Sequence, residues 1–429
     1  MGLPPLRLAS RCRVTVGAGV LFLALSLAGC GGGGSVPPPQ TAGPAPTAPA
    51  APSTPAGPPP TGSLELGRSL PATAPPVPAG PPNVALLLPL TGRASGVGTA
   101  MRDAAELALF EIADDAFTLS IHDTGSTPAG AAAAGEKAIA GGARMIIGPL
   151  FSTEVSAVAP LARAAGVPVV AFSNDRSVAG DGVWVFGLLP AQQVERVVLY
   201  ARARGLQRFG ALVPANPFGS AALQALNAAV ARTGGAVIAT DSYPAGRGTD
   251  NGPLVASFAR RVGASETGTP TIDAVLVPDG GAEIRNLAPL MAYHDIDNSK
   301  VRYLGSTLWN EPELGREPAL AGGWFAGPSP QIRRPFEQRY RSVFGNPPPG
   351  LASLAYDAVS LAAVMGRQPG GPAYDRESLT QVSGFAGVDG LFRLMPDGTN
   401  QRGLAVLRLT ARGIEIEDPA PSSFEALLN

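Results

Sequence analysis

The side chains of this chain that are typed and spaced for chemistry are hydroxyls and amides that follow apolar runs, not paired nucleophiles and bases. Phe151, Ser152 and Thr153 follow the run 145–148, and Ser173 and Asn174 follow the run 168–172. Where a strand feeds a helix, the first N–H groups of the helix are free, and with a hydroxyl beside them they suit an anion. Phe218 and Gly219 follow a third such run, 209–213. The same hydroxyls also suit plain helix capping, and both readings stand. Covalent chemistry has little to work with. The histidines are His122 and His294, the cysteines are Cys12 and Cys30, and neither Gly-x-Ser-x-Gly nor His-Glu-x-x-His occurs. No catalytic residue, metal ligand or cofactor is therefore expected. His122, beside Asp123, reads as a rim or packed histidine, and His294 as a helix-end residue in a favourable dipole. Gly96-Val97-Gly98 lacks the third glycine and the acidic partner that a dinucleotide loop needs.

Cys30 offers chemistry of another kind. It ends the stretch Leu27-Ala28-Gly29-Cys30, which resembles a bacterial lipobox, after Arg7, Arg11, Arg13 and 14 uncharged residues from Val14 to Leu27. That run is short for a permanent membrane helix and has the length of a signal-peptide core. Residues 1–29 are expected to be a lipoprotein signal peptide and Cys30 the lipidated residue, with an ordinary cleaved signal or a short anchor as the other reading. Each buried methylene of an acyl chain adds about 0.8 kcal/mol, so two or three chains hold a protein on its membrane. Gly31 rather than Asp follows the cysteine, which by the rule for bacterial lipoproteins points to the periplasmic face of the outer membrane. A net charge of −1 with 15% charged residues gives no field for nucleic acid.

Residues 31–82 contain 17 prolines among Ala, Gly, Thr and Ser, with Glu65 and Arg68 the only charges. Such a segment cannot bury a core, and residues 30–82 are expected to be a disordered tether that reaches on the order of 100 Å when extended. From Asn83 the pattern changes to short apolar runs alternating with amphipathic stretches, as in a parallel α/β sheet. Strands are predicted at 84–90, 117–122, 145–148, 168–172 and 183–186, with helices at 102–112, 128–140 and 155–165. The series then restarts, with strands at 209–213, 236–240 and 272–277 and helices at 194–204, 221–232, 254–262 and 282–293. Two successive series predict two lobes. Further on, strands are predicted at 302–305 and 324–326, helices at 335–344 and 351–365, and a closing hairpin of 391–394 with 404–409 around Asp397-Gly398. Trp184, Phe186, Trp309, Trp324 and Phe325 are expected in the core.

The order of Leu87-Leu88-Pro89-Leu90-Thr91-Gly92, His122-Asp123-Thr124-Gly125, Gly148-Pro149-Leu150-Phe151-Ser152 and 166–173 resembles the type I periplasmic binding proteins, the fold of the branched-chain amino-acid receptors. Within that superfamily the strand end Leu-Pro-Leu-Thr-Gly, with Asp-Thr-Gly and Gly-Pro-Leu-Phe, looks most like the penicillin-binding-protein activator lipoproteins. The resemblance implies an α/β fold of two lobes, each a parallel sheet flanked by helices, joined by three crossing segments near 188–190, 327–330 and 388–390. The first lobe is then about 83–189 with 328–388, the second about 190–327 with 389–418, and 419–429 a tail. It also implies a cleft site of Phe151, Ser152, Thr153, Ser173, Asn174 and Phe218, in which the amino-acid receptors hold an α-carboxylate.

Two departures bear on function. The receptors commonly place an acidic residue for the ligand ammonium in a Gly-x-Glu turn of the second lobe, and the match here is Gly305-Ser306-Thr307, or Glu311 if the register slips. The larger activators carry a helical-repeat domain ahead of the cleft domain, where this chain has its proline-rich stretch. The expected role is a non-enzymatic lipoprotein that docks on a bifunctional penicillin-binding protein, a peptidoglycan synthase. The alternative is a substrate-binding lipoprotein that delivers a branched-chain or other small amino acid or amide to an ABC permease.

Overall fold

The computed structural model describes residues 83–425 apart from 115, 245–249, 265–268 and 369–370. The signal segment, Cys30, the tether and the last four residues of the tail lie outside the described residues. Among the described residues no helix is long and apolar enough to cross a membrane.

The first sheet has five parallel strands in the order β2-β1-β3-β4-β5. They are β1 (Asn83–Leu88), β2 (Thr118–Asp123), β3 (Met145–Ile147), β4 (Val169–Ala171) and β5 (Val183–Val185). Helices α1 (Ser95–Ile112), α2 (Pro128–Ala140) and α3 (Ser152–Ala165) make the crossovers. Strand β1 is an unbroken apolar run because helices cover both faces of the sheet: Leu86 and Leu88 enter one core and Ala85 and Leu87 another. The second sheet has seven strands, β15-β14-β10-β9-β8-β6-β7. Its parallel part is β6 (Arg208–Pro214), β7 (Ala236–Tyr243), β8 (Ala274–Leu276), β9 (Arg302–Gly305) and β10 (Trp324–Gly327). Helices α4 (Pro190–Ala203), α5 (Pro217–Arg232), α6 (Gly252–Arg261) and α7 (Gly281–Tyr293) flank it.

Both lobes open with the same device. In the first turn of α1, a Cβ on Gly98 would stand 2.1 Å from the Pro89 carbonyl oxygen, and in α5 a Cβ on Gly219 would stand 2.0 Å from that of Pro214. Only glycine lets each helix start pack so close to the strand it leaves. Gly98 is thus a packing residue and not part of a nucleotide loop.

After β10 the chain returns to the first lobe with α8 (Pro330–Phe344), α9 (Ala352–Gly366) and the short α10 (Arg376–Leu379). Helix α9 is buried on nearly every side, its alanines packing against those of α1, which is why its sequence is apolar all round. Trp184, Phe186, Trp309, Trp324 and Phe325 are all buried.

The C-terminal hairpin differs from expectation. A small sheet of β11 (Phe385–Gly387), β12 (Gly390–Leu394) and β13 (Asn400–Arg402) turns at Asp397-Gly398, so the partner of 391–394 is Asn400–Arg402 and not 404–409. Residues 405–409 of that stretch lie in β14 (Ala405–Thr410), which pairs with β10 and with β15 (Gly413–Asp418) in the second sheet. Phe392 and Leu394 fill the first lobe's core, so the expected third crossing at 388–390 moves to Gly403-Leu404 and residues 389–402 stay with the first lobe. The other crossings, between β5 and α4 and between β10 and α8, fall at the expected places.

Candidate functional site

The segments that carried the family likeness are spent on bracing loops. Asp123 at the end of β2 accepts the Leu90 N–H (2.8 Å), the Thr91 N–H (3.1 Å), the Gly125 N–H (2.8 Å) and the Thr91 hydroxyl (2.6 Å). Burial raises its carboxyl, but the Thr91 hydroxyl and these N–H groups outweigh it and hold Asp123 below the ordinary range. Ser126 donates to the Thr91 carbonyl at 2.8 Å and completes the clasp. His122 shares a 3.2 Å contact with the Ser120 hydroxyl, and burial first, then Lys137, lowers its pKa.

The N-terminus of α3 is likewise filled from within. Glu154 is fully buried there, accepting the Thr124 hydroxyl at 2.9 Å and the Phe151 N–H at 3.4 Å. Burial pushes its carboxyl up against these bonds. Helix α3 starts at Ser152, so Ser152 and Thr153 sit in its first turn and do not cap it. Ser173 is buried with its Oγ accepting the Asp175 N–H at 3.1 Å. Asp175 in turn accepts the hydroxyl (2.7 Å) and N–H (2.9 Å) of Ser177. The Ser177 hydroxyl leads in holding the Asp175 carboxyl below its usual value, so a negative charge stands beside the place expected to receive a ligand carboxylate.

The lobes nevertheless share a cavity of about 470 Å³. Of the expected residues, Phe151, Asn174 and Phe218 line it. Ser152 faces a neighbouring crevice of about 680 Å³ that shares Asn174 and Phe218 with the cavity. Thr153 is exposed and lines neither, and Ser173 is turned into its own loop. The remaining wall is mostly apolar, with Val97, Leu150 and Phe172 from the first lobe and Leu308 from the second.

Thr307, from the turn expected to face the ligand, lines the cavity, and sequence reasoning missed Gln193, Asn310 and Arg333, which line it too. Gln193 Oε1 accepts the Thr307 N–H at 2.7 Å and the Thr307 hydroxyl, while its Nε2 donates to the Leu188 carbonyl at 2.9 Å. The turn 305–307 is thus satisfied by an amide, and Ser306 donates to the Pro278 carbonyl at 2.7 Å. Glu311 is half-exposed and pairs with Arg285 at 3.2 Å, away from the cavity wall. Arg333, 5% exposed, is the charged residue of the wall. One signal could have found it: Arg333, Phe336 and Tyr340 share the buried face of α8 at helical spacing.

Arg333 leads into a buried polar group at the lobe junction. Its Nη2 donates to the Gly350 carbonyl (2.6 Å) and to the Ser353 hydroxyl (2.7 Å), and its Nε lies 3.4 Å from Asp389. Ser353 donates to Asp389 at 2.7 Å, and Asp357 accepts the Val388 N–H at 2.8 Å. Arg402 donates to the Phe186 carbonyl at 2.8 Å and lies over the Phe186 and Phe392 rings. Burial foremost, then the Asp389 charge, raises the Asp357 carboxyl well above the carboxylate range, with Arg402 opposing.

The comparisons agree with this architecture. A family model described as "Periplasmic binding protein" matches residues 81–413. A curated protein of Rickettsia prowazekii (strain Madrid E), itself uncharacterized, is 24% identical over 226 residues, which cover 51% of this chain and 58% of that relative's length. Among solved structures, a leucine-binding protein of Thermotoga maritima is 20% identical with a TM-score of 0.59, covering 78% of this chain and 97% of its own. A Streptococcus pneumoniae branched-chain amino-acid transporter binding protein, in complex with isoleucine, gives 18%, 0.59, 79% and 99% on the same measures. A solute-binding protein of an ABC transporter from Rhodopseudomonas palustris BisB5, in complex with 3,4-dihydroxybenzoic acid, gives 18%, 0.59, 79% and 98%. With the two sheets, the crossings between them, the interlobe cavity and a family model spanning most of its length, this chain belongs to the periplasmic binding protein family and has the two-lobe type I fold of the leucine-binding proteins.

Proposed function

We propose that this chain is a non-enzymatic lipoprotein of the penicillin-binding-protein activator kind, anchored through Cys30 at the periplasmic face of the outer membrane and docking on a bifunctional peptidoglycan synthase. The observation that carries the reading is the cleft's lack of an amino-acid site. Asp175 stands beside the carboxylate position, and among the described residues no carboxylate lines the 470 Å³ cavity to meet an ammonium, Asp175 and Glu195 lying in the adjoining crevice. An ammonium taken from water without a partner costs several kcal/mol, enough to abolish useful affinity. The order of loop motifs from Leu87 to Ser173, and the long proline-rich stretch behind Cys30, support the activator branch over a receptor for amino acids.

A second reading is favoured by one feature, the cavity itself. At about 470 Å³ it is within the range of small-molecule sites. A receptor that hands an ammonium-free solute or an amide to an ABC permease would keep such a space. The mature chain from Cys30 separates the two. The activator reading expects it to retain a purified bifunctional penicillin-binding protein on a pull-down resin, and to give no saturable heat with leucine, isoleucine or valine. Absence of the synthase from the resin, together with micromolar amino-acid binding, would overturn it.

A further inference from the structure

The cavity wall has a chemistry of its own. Phe151, Phe172, Phe218 and Leu308 give it apolar surface from both lobes. Gln193 and Thr307 satisfy each other. Arg333 is held rigidly at one end by Gly350 and Ser353, with Asp389 and, at 3.6 Å, Glu337 behind its Nε. Its second amino group, Nη1, makes no hydrogen bond among the described residues. A fixed guanidinium amino group at the edge of a mostly apolar space suits a carboxylate oxygen, because the charge-assisted hydrogen bond is strong and the order of the guanidinium is already imposed by the protein. Among the described residues no carboxylate side chain lines the space, so a zwitterion gains at Arg333 but leaves its ammonium unpaired.

We propose that the cavity binds an apolar organic acid without an ammonium group, its carboxylate on Arg333 and its hydrocarbon part among Phe151, Phe172, Phe218 and Leu308. This anion site lies on the α8–α9 side of the cleft, apart from the first turn of α3, where Asp175 repels an anion. It rests on the cleft being a working ligand site and not on the synthase partnership. An acid-binding protein that fails to hold the synthase leaves this proposal standing and sinks only the docking role. A synthase complex formed by a protein that ignores acids does the reverse.

The test is calorimetry on the full mature chain with three probes of one skeleton: 4-methylpentanoate, its amide 4-methylpentanamide, and leucine. The acid is expected to bind with a micromolar Kd, the amide at least 10-fold more weakly and leucine at least 100-fold more weakly. Arg333→Met leaves Asp389 buried without its partner, so the informative variant is Arg333→Met combined with Asp389→Asn, checked for an unchanged unfolding transition. It should weaken the acid at least 30-fold and leave the amide within 3-fold. Leu308→Trp fills the cavity from a half-exposed position without touching the buried ions, and should abolish binding of both acid and amide. No heat with the acid, leucine binding as tightly as the acid, or an unchanged acid affinity in either variant would overturn the proposal.

Discussion

At Asp175 the chain sets its own carboxylate beside the crevice that Ser152 faces at the start of α3, held by Ser177, so an anion arriving there meets a charge of its own sign. The loop that does this is local, and the spacing Ser173, Asp175, Ser177 is a legible signature of a side-chain-bonded turn. Arg333 was harder to read as a site residue, because its hydrogen-bond partners Gly350 and Ser353 arrive from the following loop and helix. The buried Asp357 gives a residue-scale prediction with a definite sign. It faces Asp389, Arg402 and the Val388 N–H, and its carboxyl is raised above the unfolded value. A raised acid contributes stability that is present below the unfolded pKa, near 4, and lost as pH rises through the folded value. Asp357→Asn should therefore gain stability relative to the parent as pH is raised from 4 to 8, measured by urea unfolding at each pH; a gap that stays constant or shrinks would contradict the assignment. Gly219→Ala tests the helix–strand approach, and should cost about 1–3 kcal/mol in the same assay because its Cβ meets the Pro214 carbonyl.

Among the elements, the parallel strands were legible because each is an apolar run bounded by turns, as in Val84 to Leu88. Helix starts were read late: α1 begins at Ser95 and α4 at Pro190, since their first turns carry glycine, proline or polar residues that break the apolar period. Strand β13, Asn-Gln-Arg, was not legible as a strand at all. Its side chains serve the junction between lobes: Asn400 Nδ2 donates to the Val185 and Gly187 carbonyls at 2.8 and 2.9 Å, and Arg402 to that of Phe186. Polar residues that serve that task hide the strand's pattern, and the apolar stretch from Leu404 reads as the hairpin partner in its stead. Asn400→Ala should leave those buried carbonyls unpaired and cost about 1–3 kcal/mol, read as a lower urea midpoint with an unchanged slope. At Asn216, whose Oδ1 caps α5 through the Gly219 N–H at 2.9 Å, alanine should cost about 1 kcal/mol. A loss at Asn400 no larger than that of an exposed alanine substitution would remove the junction role.

On the scale of the molecule, two lobes joined by three crossings place a cavity and an adjoining crevice between them, and ions buried at the junction adjoin the cavity through Arg333. Arg333 thus belongs both to the cavity wall and to the buried ions beside the crossings. The two-lobe plan was legible from the restart of the β/α series. The chemistry of the cleft was not, because it depends on which of several hydroxyls and charges are already satisfied by neighbours from other elements. The most direct test of the proposed role is the turnover of a purified bifunctional penicillin-binding protein on its lipid-linked substrate, titrated with the mature, lipid-anchored chain. The account predicts a saturable rise in turnover. A flat titration, with the synthase active and the chain folded, would contradict it.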